Sequence, residues 1–418
     1  MNKNDMDCIR NLAEIYSEYA CGKVMDARRE KWRKHNRMQE RTFPFHIQDN
    51  GKFMQDLMPP LQCEGKEFKE LEQRLLYSIT SYEKINDDRI IPSRFLVNWQ
   101  TDITPYCEEL RFVNSDDGHG GSLGFESNKP IQDIDSDFYK LKKRKITLNR
   151  KLTGQHAELA HKAFDGLLPV AIGRASSYYS DGMANKAVHL MGMEELFMQM
   201  AVNTEAVHRL FTFLAEDNLE LGRWEEEQGL LTLNNDGNQG YCSGSSQFSD
   251  EIIMPAGGEE AIRSSDRYGY LEAQEATGLS PDMFGEFFMP YLLKLAEKFK
   301  LMKFGCCEPV HGLMPYLENL QGLRKVSVTP WCNLEVLAST CRKDIIWSRK
   351  PTPLKLCGSS FDLADFRTHL KTTLDIGKNH FIEFVFRDTC LLDGSMAQRV
   401  DNACKIVRDL TGHPEGGK

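Results

Sequence analysis

Apolar residues recur every three to four positions over residues 5–40, where Ile9, Leu12, Ile15 and Tyr16 share one helix face. The segment "KEFKELEQRLLYSITSYEKI" (66–85) repeats the pattern through Phe68, Leu71, Leu75, Leu76 and Ile79. Between them "FPFHIQDNGKFMQDLMPP" is broken by Pro44, Gly51 and the Pro59–Pro60 pair, which predicts a connector holding a short helix. Residues 1–88 are therefore expected to form an N-terminal helical region.

From residue 89 the rhythm changes. Short apolar runs alternate with helical stretches: "DRIIPSRFLVNWQ" (88–100), "LLPVAIGRAS" (167–176), "LLTLNNDG" (230–237) and "YGYLEAQEA" (268–276). They continue as "LMKFGCCE" (301–308), "LRKVSVTPW" (323–331), "DIIWSRKP" (344–351) and "HFIEFVFRDTC" (380–390). A polar, glycine-rich loop is expected over "SDDGHGGSLGFESNKP" (115–130). Strands spaced by helices predict parallel βαβ units, and about eight of them predict an α/β fold of the (β/α)8 TIM-barrel type over residues 89–418. A doubly wound sheet is the alternative. No Gly-x-Gly-x-x-Gly follows a strand and no phosphate loop is present, which argues against nucleotide binding.

Composition narrows the class further. The chain is 41% hydrophobic and 27% charged, enough apolar material for a large core. A net charge of -9 argues against nucleic acid as a partner. The basic run "DARREKWRKHNRMQER" (26–41) is interleaved with acids and reads as a solvated helix face. No apolar run is long enough to span a bilayer, and the first residues lack a signal-peptide core, so the cytoplasm is the expected compartment. Twelve cysteines without a disulfide framework fit reduced thiols.

In a barrel, chemistry sits at the C-terminal ends of the strands. There the sequence places Asn234, Asn235, Asp236, Glu272, Gln274, Glu275, Cys306, Cys307, Glu308, Trp331, Arg349, Lys350, Arg387, Asp388 and Cys390. Soft sulfur ligands beside carboxylates suit a metal ion. Each residue also has a plainer reading. Cys306 and Cys307 are inert thiols at a strand–loop junction, Asp236 is a turn residue in Asn-Asp-Gly, and Cys390 is structural. Trp331 plugs the barrel, Arg349 and Lys350 face solvent, and His311 opens the next helix. His156, His161 and His208 lie on helical stretches and read as structural.

Four blocks carry a resemblance: "LQCEGKEFKELEQRLLYS", "GLLTLNNDG", "FGCCEPVHGLMPYLENLQGLRKVSVTPW" and "WSRKPTP". With them the chain resembles the uroporphyrinogen decarboxylase-like superfamily from about residue 60 onward, in the branch of the zinc- and corrinoid-dependent methyltransferases. The resemblance implies a distorted (β/α)8 barrel with zinc held by a His-x-Cys on one strand and a Cys on the last. Here the cysteine position falls on Cys306 or Cys307 and the histidine position on Phe304 or Gly305, so the histidine is missing. Glu308 is the compensating ligand, and Cys390 matches the last-strand cysteine.

The activity so implied is zinc-assisted transfer of a methyl group between a small methylated substrate and a corrinoid carried by a partner protein. The chain contains no Asp-x-His-x-x-Gly of its own for that cofactor. Asp236 or Glu275 would supply the proton to the leaving group. Asn235, Trp331, Arg349 and Lys350 would bind substrate, with Trp331 covering an aromatic ring or the corrin. Two alternatives stand beside this. One is a metal-free decarboxylase-like lyase using Asp236 and Arg349, although "IIPSRFLVNWQ" offers Arg94 without the decarboxylase's arginine-rich motif. The other is a non-catalytic corrinoid- or metal-binding partner. The resemblance is also compatible with a homodimer.

Overall fold

A computed structural model describes residues 3–48, 52–116, 122–174, 182–237, 243–258, 262–387 and 396–412. Its strands are β1 (Phe45–Ile47), β2 (Phe95–Asn98), β3 (Thr101–Ile103), β4 (Phe112–Asp116), β5 (Ser122–Ser127) and β6 (Ile146–Leu148). They continue with β7 (Val170–Gly173), β8 (Tyr268–Leu271), β9 (Leu301–Phe304), β10 (Leu323–Val328), β11 (Ile346–Arg349) and β12 (Ile382–Phe386). Six form one curled parallel sheet in the order β1-β12-β11-β10-β9-β8. The apolar runs of β9 and β12 are buried along their whole length, as a sheet packed on both faces requires.

This half-barrel is less than the expected closed (β/α)8 ring. β2 and β7 pair in parallel apart from the main sheet. The run 230–237, expected as a full strand, makes one backbone bridge, from Leu231 to Arg174. The reason is local. Asn234 Nδ2 donates to the carbonyl of Tyr268 at 2.7 Å, and its Oδ1 accepts the Tyr268 N–H at 2.8 Å. A side-chain amide here takes the place of the ladder bonds that would join this segment to β8.

The connector at 43–60 also does more than connect. Its "FHI" becomes β1, paired in parallel with β12 through Phe45 opposite Phe384. Asp88 and Asp87 accept the N–H groups of Phe45 and Ile47 at 3.0 Å each, satisfying donors that a second neighbouring strand would otherwise take. Residues 101–148 add two antiparallel ribbons, β3 with β6 and β4 with β5, of which β5 and the end of β4 lie in the span 115–130 expected as loop. No helix among the described residues is long and apolar enough to cross a membrane.

Barrel interiors are usually filled by branched aliphatic side chains. Here Lys303, Lys325, Ser327, Ser348 and Glu383 are fully buried on neighbouring strands. Lys325 Nζ donates to Glu383 Oε2 at 2.6 Å, to Ser245 Oγ at 3.1 Å and to the Ser246 carbonyl at 3.0 Å. Lys303 Nζ donates to Ser348 Oγ at 3.0 Å. His35, wholly buried, stands 3.7 Å from Glu383, and burial drives its pKa down to about 3, so it is neutral.

Candidate active site at the strand ends

β9 ends at Phe304, and Gly305 N–H still bonds the carbonyl of Leu271 at 2.8 Å. Gly305 then takes a φ of 98°, open to glycine at little cost, which turns the chain out of the sheet. The turn is held from below by Glu308. Its carboxylate is buried and accepts the N–H of Cys306 at 2.7 Å and of Ala273 at 2.9 Å. Desolvation pushes the Glu308 pKa up. Both oxygens thus serve the backbone of the β8 and β9 loops.

The turn presents Cys306 to a set of cations. Arg387, just past β12, donates from Nη1 to Cys306 Sγ at 3.3 Å and to Ser243 Oγ at 3.0 Å. Lys350, just past β11, donates to the Cys306 carbonyl and to Ser243 Oγ at 2.6 Å. Ser327 Oγ donates to the same carbonyl at 2.9 Å. Lys303 Nζ reaches the carbonyl of Ser243 at 3.4 Å. Cys307 lies beside it, its sulfur 3.6 Å from that of Cys306.

These neighbours separate the two thiols. The Cys307 S–H donates to Cys306, and Lys350, Ser243 and Arg387 add to the effect, holding the Cys306 pKa well below the thiol range against its burial. Cys307 is pushed up by the same bond, by burial and by the charge beside it. The surroundings thus favour the charge on Cys306 and the proton on Cys307. Burial takes the Lys350 pKa down to about 8, partly opposed by Cys306.

Glu272, past the end of β8, adds an acid. Burial first, then the carboxylates of Glu308 and Glu275, raise its pKa to about 9. It is a neutral carboxylic acid at pH 7 and can donate a proton. Gly182 allows its approach, since a Cβ there would stand 1.6 Å from Glu272 Oε1. Tyr270, also raised well above its usual range by burial, faces the same charges.

The remaining expected residues are dispersed. Asp236 pairs with Arg94 at 2.8 Å. Asn235 donates to the carbonyls of Ser249 and Ile252 at 2.6 and 2.8 Å, bracing a loop. Glu275 accepts from Asn185 and Gln274 at 2.9 and 3.0 Å. Arg349 is buried and points its Nη1 at the carbonyls of Val328 and Thr329. Trp331 stands 71% exposed on the loop after β10. His311 accepts the N–H of Asn333 at 3.4 Å. Asp388 and Cys390 lie outside the described residues. Ser243, which gathers Lys350 and Arg387, had no signal beyond a Ser/Gly-rich stretch.

A zinc ion can be tested against this donor set. Two zinc–sulfur bonds of ~2.3 Å at a tetrahedral angle hold their sulfurs about 3.7 Å apart. The Cys306–Cys307 spacing of 3.6 Å fits that span. Glu308 places no oxygen within 4.8 Å of both sulfurs. Among the described residues, three His, Cys, Asp or Glu ligand atoms lie within 4.8 Å of one another only at Cys8, Cys63 and Glu72, remote from the mouth in sequence.

No protein-family model matches the chain, and no curated protein matches it. Among solved structures it is similar to a methyltransferase from Methanosarcina mazei, with a TM-score of 0.36 and 12% identity, over 65% of this chain and 73% of that one. At that level the likeness says nothing about chemistry, which rests on the residues of the site.

Proposed function

We propose that the protein is a zinc-assisted methyltransferase that moves a methyl group between a small methylated substrate and a corrinoid carried by a partner protein. The observation that carries this reading is the paired sulfur site: a cation-held thiolate at Cys306 with Cys307 at the spacing of two zinc ligands. Zinc bound there supplies a Lewis acid that activates a heteroatom or thiol for methyl exchange. Cys306 and Cys307 would hold it, with Cys390 a further candidate ligand on the chain beyond Arg387.

The protein's own groups do the rest. Arg387 and Lys350 keep Cys306 ionised and fix its direction through Ser243. Glu272, protonated at neutral pH, is the proton source for a leaving oxygen or nitrogen, a role expected of Asp236 or Glu275. Glu308 keeps the turn rigid from beneath. The decarboxylase alternative finds less support, because Arg349 is engaged by carbonyls and Asp236 by Arg94.

The test pairs metal analysis with turnover. Purified wild type and the Cys306→Ser/Cys307→Ser variant are analysed for zinc, then assayed for methyl transfer to cobalamin from methoxyaromatics, methylamines, methyl thiols and betaines. Zinc bound by wild type and reduced in the variant, with transfer from one donor class lost, is the expected result. Equal zinc in both proteins and no transfer from any donor would sink the proposal.

A further inference from the structure

We infer that the N-terminal helices carry a second, structural metal site, built by Cys8, Cys63 and Glu72 for a zinc-class divalent ion. It shares no residue with the mouth and stands independently of the function proposed for it. Cys8 lies on the helix Lys3–Ala20, Glu72 on the helix Lys66–Lys84, and Cys63 on the loop leading into the second helix. Their ligand atoms all fall within 4.8 Å of one another. Cys8 Sγ is 3.9 Å from Glu72 Oε1. Tetrahedral zinc with two thiolates and a carboxylate needs separations of roughly 3.5–3.8 Å, so contraction of about 1.3 Å at most brings the three donors into range.

The carboxylate is already aimed. Glu72 is buried, and its oxygens accept the N–H groups of Gln62 at 2.6 Å and Cys63 at 2.9 Å. Such bonds orient a metal's carboxylate ligand from behind. Neither Glu72 nor Asp5, the other buried acid there, has a Lys, Arg or His partner among the described residues. Cys63 is buried and Cys8 half-buried, so an ion would be largely shielded from water. Burial raises both thiol pKa values, which keeps the metal-free pair protonated. Binding would form two metal–sulfur bonds and one metal–oxygen bond to the protein, keep one water of the hydrated ion as the fourth ligand on the Cys8 side, and release two thiol protons to solvent, with no change of oxidation state. The ion would staple the first helix to the "LQCEGK" loop.

The experiment uses the full chain carrying Cys306→Ser and Cys307→Ser, reduced, stripped with chelator and titrated with Co²⁺. A thiolate-to-cobalt charge-transfer band with strong tetrahedral d–d bands, saturating near one equivalent and displaced by Zn²⁺, is expected. Adding Cys8→Ser should weaken binding roughly tenfold or more, and adding Cys8→Ser with Cys63→Ser should abolish the spectrum. Cys8 is half-buried, so the single change keeps the test available if the double change fails to fold. No tetrahedral spectrum in the parent, or one unaffected by Cys8→Ser, would overturn the site. So would a Cys8–Cys63 disulfide found by alkylation of the unreduced, denatured protein. If the mouth is not a metal site, zinc in wild type would be unchanged by Cys306→Ser/Cys307→Ser yet lost with Cys8→Ser/Cys63→Ser, so the two readings fail separately.

Discussion

The separation of Cys306 from Cys307 makes a kinetic prediction that needs no knowledge of the substrate. An ordinary thiol, with a pKa of about 8.5, is roughly 0.3% thiolate at pH 6, so its alkylation rises tenfold per pH unit. Cys306, held ionised by Cys307, Lys350, Ser243 and Arg387, carries about 300 times more of the reactive form at that pH. The same stabilisation lowers nucleophilicity, with a Brønsted slope of about 0.4–0.5, and takes much of that gain back. The slope with pH, rather than absolute speed, is therefore diagnostic. Metal-stripped protein is treated with iodoacetamide between about pH 5 and pH 8, and labelling of each cysteine peptide is followed by mass spectrometry. Cys306 should change less than about twofold, while N-acetylcysteine treated in parallel as the control should rise several hundred-fold. Cys307→Ala removes the largest stabilising bond and should restore a rising limb at Cys306. A tenfold-per-unit rise at wild-type Cys306 would refute the charge assignment.

Lys325→Met leaves Glu383 buried without its cation and should cost about 3–5 kcal/mol in urea unfolding, most of it recovered by adding Glu383→Leu. Glu272 holds its proton up to about pH 9 when folded, against 4.5 in an ordinary carboxyl, so the folded state binds more protons and stability falls as pH rises through that window. Glu272→Gln should remove a slope of about 1.4 kcal/mol per pH unit and be the more stable protein at pH 8, read from thermal or urea melts. Asn234→Ala deletes both bonds to Tyr268 and strands its buried N–H and carbonyl, with an expected loss of about 2 kcal/mol in the same assay.

How much of this was legible in the chain depends on the range of the interactions involved. β2 and β7 to β12 coincide with apolar runs, and for β9, β11 and β12, buried along their whole length, that is the local mark of a strand covered on both faces. β1 left almost none. Its three residues are too few for a period, and two aspartates some 40 positions away accept the N–H groups of Phe45 and Ile47. The run 230–237 misled in the other direction, since its apolar pattern hid an asparagine that bonds through its side chain. At the mouth, Cys306, Cys307, Lys350 and Arg387 were visible as polar residues ending apolar runs. Ser243 was not, because it follows no such run. Glu272 was visible as a position, but its high pKa comes from burial against Glu308 and Glu275, which spacing does not encode. Cys8 and Glu72 stand 64 positions apart and form no motif.

The pairing of the first strand with the last also has a consequence for biosynthesis. β1 leaves the ribosome about 340 residues before the stretch of β12 that it pairs with. At roughly 5–20 residues per second, that is on the order of 20–70 s of translation. β8 to β12 can add in sequence, each beside the strand made before it. β1 cannot join them until β12 has emerged, and Arg387, the guanidinium that faces Cys306, is the residue immediately following that strand. The chain thus completes its sheet and acquires a main cation of its thiolate site almost together, once β12 has emerged, so a product truncated before residue 382 would lack both.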